Sequence, residues 1–134
     1  MNTAENKQLL QRIFDGLDKG NSRPLVEAMA DEFTWTVSGT TKWSRRYEGK
    51  GAVLDQLFAA LRARIDGRIR NTAQRFIAEG DHVVVEARGQ NRTRDGKPYE
   101  NQYCFVFRVG DGKLREVTEY MDTLLVATVL GDGE

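Results

Sequence analysis

The stretch VTEYMDTLLV, residues 117–126, puts a carboxylate among apolar residues. In a strand, successive side chains point to opposite faces. Val117, Glu119 and Met121 therefore share one face, and Thr118 and Tyr120 the other. A carboxylate on the more apolar face has three fates. It reaches water at a strand end, it pairs with a basic group, or burial disfavours its charge and raises its pKa. The third fate would make Glu119 a general base or acid near neutral pH. An edge carboxylate or a structural ion pair remains open beside it.

Other residues of chemical interest lie in two preceding strands, HVVVEARGQNRTR and PYENQYCFVFRV. Tyr103, Phe105 and Phe107 share a face, which Asn101 joins. If that aromatic face meets the helices, Asn101, Tyr103 and Glu119 converge. The face Val84, Glu86 and Arg88 is expected to join them. Arg88 would favour the ionised form of Glu119, and Glu86 would tune it or bind an oxygen. Tyr103 is the best neutral donor for a substrate oxygen, and Asn101 would orient the substrate. Val117, Met121 and Phe105 are expected as lining, and Trp35 as core or pocket wall. Trp43 and Tyr47 sit in a loop placed to close over a pocket.

The remaining candidates are weaker. His82 is the only histidine and follows a Gly-Asp turn. With one cysteine beside it, the chain has no zinc-ligand spacing. Cys104 falls on the face opposite Tyr103 and Phe105 and reads as a small core or interface residue. GDGK, 110–113, lacks the longer glycine-rich loop and following helix of a phosphate site and reads as a hairpin turn. The arginines at 45, 46, 62, 64 and 68 read as solvated faces.

Two helical stripes and a meander must position these residues. Leu10, Ile13, Phe14 and Leu17 repeat at helical spacing, and Gly20-Asn21 ends that helix. Ser22, Arg23 and Pro24 open a second short helix carrying Leu25, Val26 and Met29, because proline suits a first turn. FTWTV, 33–37, reads as a strand, followed by a loop over 38–51. Leu54, Leu57, Phe58, Leu61 and Ile65 form the clearest helix, closed by Gly67. From residue 69 the period becomes two. Strands follow, separated by Gly80-Asp81, by the hairpin pair Asp95-Gly96 and by the 110–112 turn. Asp122 is placed to cap a terminal helix.

Helices first and long strands afterwards predict an α+β domain, with helices on one face of a curved sheet. The uncovered face, with Val83, Val85 and Val106, would need solvent or a second copy. At 134 residues the chain is one domain, 1–134, able to bury roughly 68% of its unfolded surface. Its 20 basic and 20 acidic residues cancel, so no net field draws it to nucleic acid or an anionic membrane. No run approaches the ~20 apolar residues of a bilayer span, and the polar N-terminus has no signal-peptide core. One cysteine allows no internal disulfide. The expectation is a soluble, cytoplasmic protein.

Four stretches carry a resemblance: FDGLDKGNSRPLVEAMADEFTWTV, RYEGKGAVLDQLFAAL, YENQYCFVFRV and DGKLREVTEYMDT. Together the chain resembles the SnoaL-like, ketosteroid-isomerase-like proteins of the nuclear transport factor 2 superfamily. The resemblance implies a cone-shaped α+β barrel of cystatin-like fold, with a deep pocket for a small hydrophobic molecule and commonly a homodimer. It implies acid/base residues and neither metal nor organic cofactor. The superfamily's chemistries include ketosteroid isomerisation, polyketide ring closure, epoxide hydrolysis and dehydration, and some members only bind ligands or proteins. In limonene-epoxide-hydrolase-like members the position of Glu119 holds a pocket carboxylate, beside an Arg-x-Asp pair. Here that pair reads Glu86-Ala87-Arg88, its charges reversed. The isomerase base would fall near 35–37, where no carboxylate stands. The resemblance thus implies an isomerase, cyclase or hydrolase acting on an apolar, oxygen-bearing ligand, or a non-catalytic binding protein of the same fold.

Overall fold

The computed structural model describes residues 2–131. The first helix, α1 (Thr3–Asp18), opens with a capping box. The Asn2 side chain accepts from the Glu5 amide at 2.9 Å, and the Glu5 carboxylate accepts from the Asn2 amide at 3.0 Å. Leu10, Ile13, Phe14 and Leu17 are buried as their spacing predicts. The turn to α2 (Arg23–Ala28) is tight, with the Asn21 amide donating to the Gly16 carbonyl at 2.8 Å. A Cβ on Gly16 would lie 2.7 Å from the Asn21 carbonyl oxygen, so this approach requires glycine.

β1 (Met29–Val37) starts earlier than FTWTV, and Met29 belongs to it rather than to α2. The 38–51 segment, expected as a loop, contains a strand, β2 (Arg46–Glu48), antiparallel to β1. The long helical stripe forms as α3 (Lys50–Ala52), a wider π-helical stretch over Val53–Phe58, and α4 (Ala59–Arg64). The strands β3 (Asn71–Glu79), β4 (His82–Gly89), β7 (Gln102–Gly110) and β8 (Lys113–Met121) follow. Between β4 and β7 a small hairpin, β5 (Asn91–Arg92) with β6 (Pro98–Tyr99), turns at Asp95-Gly96. The chain ends in α5 (Thr123–Leu125) and a π-helical Val126–Leu130. Asp122 caps that end as predicted, accepting from the Leu125 amide at 3.2 Å.

The main sheet runs β2-β1-β8-β7-β4-β3. It is mixed, because β1 and β8 are parallel while the other pairs are antiparallel. Helices cover its inner face, giving the expected α+β cone. Cross-strand register sets what that face carries. One row is Val83, Phe107, Val117 and Trp35, the next Val85, Phe105, Glu119 and Val37, and the third Ala87, Tyr103 and Met121. Phe14 of α1 closes on this face, its ring 5.8 Å from Phe105 and 6.2 Å from Phe107 between centroids.

This register corrects the predicted phase of β4. Val83, Val85 and Ala87 face inward, while Glu86 and Arg88 face outward opposite Cys104 and Gln102. Glu86 pairs with Arg75 of β3 at 3.2 Å, and Arg88 with Glu100 at 3.7 Å. The physical reason is the run Val83-Val84-Val85, which satisfies either phase. Pairing of Ala87 with Tyr103 decides between them. The outer valines are therefore Val84 and Val106, not Val83 and Val85.

Asn101 ties the sheet to the terminal helix. It is 1% exposed. Its oxygen accepts from the Gln102 and Asp122 amides at 2.8 and 3.1 Å, and its nitrogen donates to the Asp122 carbonyl at 3.1 Å. Asn101→Ala would leave buried backbone groups unpaired and should cost about 2–4 kcal/mol in urea unfolding. A loss below about 0.5 kcal/mol would show that Asn101 is not a structural tie.

Candidate active site

Between the helices and the inner face lies a cavity of about 570 Å³, within the range of small-molecule sites. Its walls are apolar: Phe14 and Leu17 from α1, Leu25 and Val26 from α2, Phe58, Leu61 and Ile65 from the third helical segment, and Trp35, Phe105 and Phe107 from the sheet. The π-helical stretch brings Phe58 edge-on to Trp35, 5.4 Å between centroids.

Glu119 lines this cavity and, among the described residues, is the only acidic one in its wall. The residue as a whole is half-buried. β1 and β8 are parallel, with Trp35 opposite Val117 and Val37 opposite Glu119. Trp35 therefore lies one inward position from Glu119, and its indole Nε1 donates to Glu119 Oε1 at 2.8 Å. Burial pushes the Glu119 carboxyl up to about 7, against a smaller opposing effect of the Trp35 hydrogen bond. Removal from water costs the charged form more than one neutral donor returns.

Two phenols share the cavity wall with Glu119. Tyr103 stacks on Phe105 at 5.1 Å, and its hydroxyl and that of Tyr99 shift one another. Asn101 Nδ2 also donates to the Tyr99 hydroxyl, at 3.2 Å. With Asn101 donating to its oxygen, Tyr99 keeps its own proton to donate. Burial raises both phenols, Tyr103 well above the ordinary value, and the nearby Glu119 charge adds to this. Both remain protonated donors across the pH range in which Glu119 titrates. Glu119 hydrogen-bonds neither of them: its one side-chain partner among the described residues is Trp35.

The structure thus brings Glu119, Tyr103, Trp35 and Phe105 together as predicted, and puts Asn101 behind Tyr99 as its support. It keeps the other expected residues away. Glu86 and Arg88 lie across the sheet. Val117 is sealed in the core at 1% exposure, and Met121 packs against that core without lining the cavity. Tyr47 pairs with Trp35 in register, but its hydroxyl donates to the Trp43 carbonyl at 3.2 Å and Arg45 lies 5.0 Å from its ring centroid. Trp43 is buried and donates to the Gly131 carbonyl at 3.2 Å. These two brace the loop and the chain end instead of forming a lid. Sequence reasoning missed Tyr99, although it alternates with Asn101 and Tyr103 in PYENQY. It also missed the helical half of the wall. Among the described residues no group of three or more His, Cys, Asp or Glu is placed to hold a metal ion, and no helix is long and apolar enough to cross a membrane.

A mixed sheet curled over helices, with one buried carboxyl in an apolar cavity, defines an α+β cone of pocket-forming proteins. The chain belongs to the SnoaL-like domain family, whose profile matches residues 10–117 and stops two residues short of Glu119. Among curated proteins none matches the sequence significantly. Solved structures are similar over nearly the whole chain. A nuclear-transport-factor-2-like protein from Burkholderia thailandensis has a TM-score of 0.80 at 23% identity, covering 93% of this chain and 96% of that one. A candidate SnoaL-like polyketide cyclase from a Jannaschia species has a TM-score of 0.79 at 21% identity, covering 96% and 93%. A candidate isomerase from Bacillus subtilis has a TM-score of 0.79 at 21% identity, covering 98% and 97%. At these identities the likeness defines the fold, not the reaction.

The raised carboxyl has a consequence for stability. Folded Glu119 holds its proton up to about pH 7, against an ordinary value of 4.5. Unfolding between those values releases a proton, so stability falls as pH rises through that window and levels off above it. The loss is at most about 3 kcal/mol. Glu119→Gln keeps an acceptor for Trp35 and has no charge to bury. Relative to wild type it should gain about 2 kcal/mol between pH 5 and pH 8 in urea unfolding. A difference that does not change with pH would mean the carboxyl is not buried in solution.

Proposed function

We propose that this protein is a cofactor-independent acid/base enzyme that moves a proton next to a carbonyl on an apolar ligand. The observation that supports it is Glu119, a single carboxyl with its pKa near neutrality in an apolar cavity. A base works best when its pKa lies close to the operating pH. The phenols supply the complementary half. As a C–H proton passes to Glu119, charge develops on the carbonyl oxygen, and a hydrogen bond from Tyr99 or Tyr103 stabilises it. Return of the proton to a different carbon isomerises the ligand. Attack of the resulting enolate on a second carbonyl closes a ring. The names of the similar polyketide cyclase and isomerase candidates agree with this class of chemistry.

Hydrolysis by a paired carboxylate and arginine is not favoured. Glu86 and Arg88 lie on the opposite face, and among the described residues the cavity wall holds no second acid.

The test is hydrogen–deuterium exchange at the α-carbon of 2-tetralone in D₂O, followed by NMR. Wild-type protein should catalyse exchange, with the rate rising through an apparent pKa of about 7. Glu119→Gln should lower it by about 10²–10⁴-fold, and Tyr99→Phe by a smaller factor. Exchange that is equally fast in Glu119→Gln removes the base. A protein that binds the ketone and exchanges nothing is a binding protein of this fold.

A further inference from the structure

The charged lining of the cavity is lopsided. Among the described residues, three arginines, Arg23, Arg62 and Arg68, stand against the one carboxyl of Glu119. Arg23 is engaged, its Nε 3.3 Å from Glu27. The side chains of Arg62 and Arg68 have no ion-pair or hydrogen-bond partner among the described residues. Arg62 belongs to the last turn of α4, beside the lining residues Leu61 and Ile65. Arg68 follows it across Gly67 and packs against the α1–α2 turn, its Cβ 3.0 Å from where a Cβ on Gly20 would stand. Both are exposed. They therefore mark the open end of the cavity, while Glu119, Tyr99 and Tyr103 lie in its enclosed part.

Two arginines, unpaired among the described residues, thus border an apolar cavity, where a long stem can lie along the wall and hold its guanidinium at the rim. A planar guanidinium matches a carboxylate with two parallel hydrogen bonds. Two such groups give the mouth a positive field, which draws anions and repels cations.

We infer that the cavity selects a carboxylated ligand: an apolar, ring-sized body entering toward Glu119, with its carboxylate held at the mouth by Arg62 and Arg68. The orientation of the ligand rests on the proposed role of Glu119. The charge preference does not. The ligand's reacting end meets the base and the phenols, and its charge stays in water-accessible surroundings, where it need not be desolvated.

The test compares two probes of one shape, 2-naphthoate and 2-naphthamide, by isothermal titration at pH 8. Wild-type protein should bind the carboxylate at least about fivefold more tightly than the amide, with the preference shrinking as salt is raised. In R62Q/R68Q the two affinities should converge, that of the amide staying unchanged. Each single variant should remove part of the preference, and thermal melting checks that all remain folded. Equal affinities in the wild type, binding of neither probe, or a preference that survives the double substitution overturns the inference. A preserved preference with no Glu119-dependent exchange of 2-tetralone overturns only the acid/base reading. Exchange without the preference overturns only this one.

Discussion

The site depends on one carboxyl that the fold keeps from water. Among the described residues no basic side chain pairs with Glu119, the lining arginines being at the cavity mouth: its one partner is an indole N–H at 2.8 Å. A nearby guanidinium would have held the group ionised and cost it its usefulness near neutral pH. One neutral donor orients the carboxyl while leaving desolvation dominant. The outward phase of β4 matters for the same reason, since it removes Arg88 from the face that Glu119 shares.

The parallel pairing of β1 with β8 makes that single donor available. An antiparallel meander alone would give Glu119 the neighbours Phe105 and, at its other edge, nothing. Insertion of the N-terminal strand beside the C-terminal one brings Trp35 into reach and completes a row from Val85 to Val37. The indole serves twice. It orients the carboxyl, and its ring meets Phe33, Phe58 and Phe105 at 5.4–6.2 Å, so that both ends of the chain form one aromatic wall.

The sequence made part of this legible. Period-two alternation placed Glu119, Tyr103 and Phe105 on one face because their strands have one apolar side and one polar side. It failed on β4, where three consecutive valines carry no phase, and there Glu86 and Arg88 were misplaced. The hairpin β5–β6 interrupts the strand that PYENQYCFVFRV suggests, and this hid Tyr99, whose role depends on Asn101 turning at the break. Val117 and Met121 show a further limit. Facing inward is not the same as lining a cavity, because the helices decide which inward residues are sealed. The pairing of β1 with β8 joins residues more than eighty positions apart, and no local pattern encodes it.

One base with neutral donors restricts the chemistry more than the fold does. A hydrolase of this architecture must activate water and protonate a leaving oxygen, which calls for two titrating groups of separated pKa. Here Glu119 is the only carboxyl at the wall among the described residues, and the phenols stay protonated while it titrates. A single base can still complete a cycle if it returns the proton it took. Enolisation followed by reprotonation, or by carbon–carbon bond formation, meets that condition. In such a cycle Glu119 alternates between its two forms at little cost only if they are nearly equal in energy, which is what a pKa of about 7 means at neutral pH. The same burial that lowers the stability of the folded chain therefore brings the two protonation states of Glu119 level.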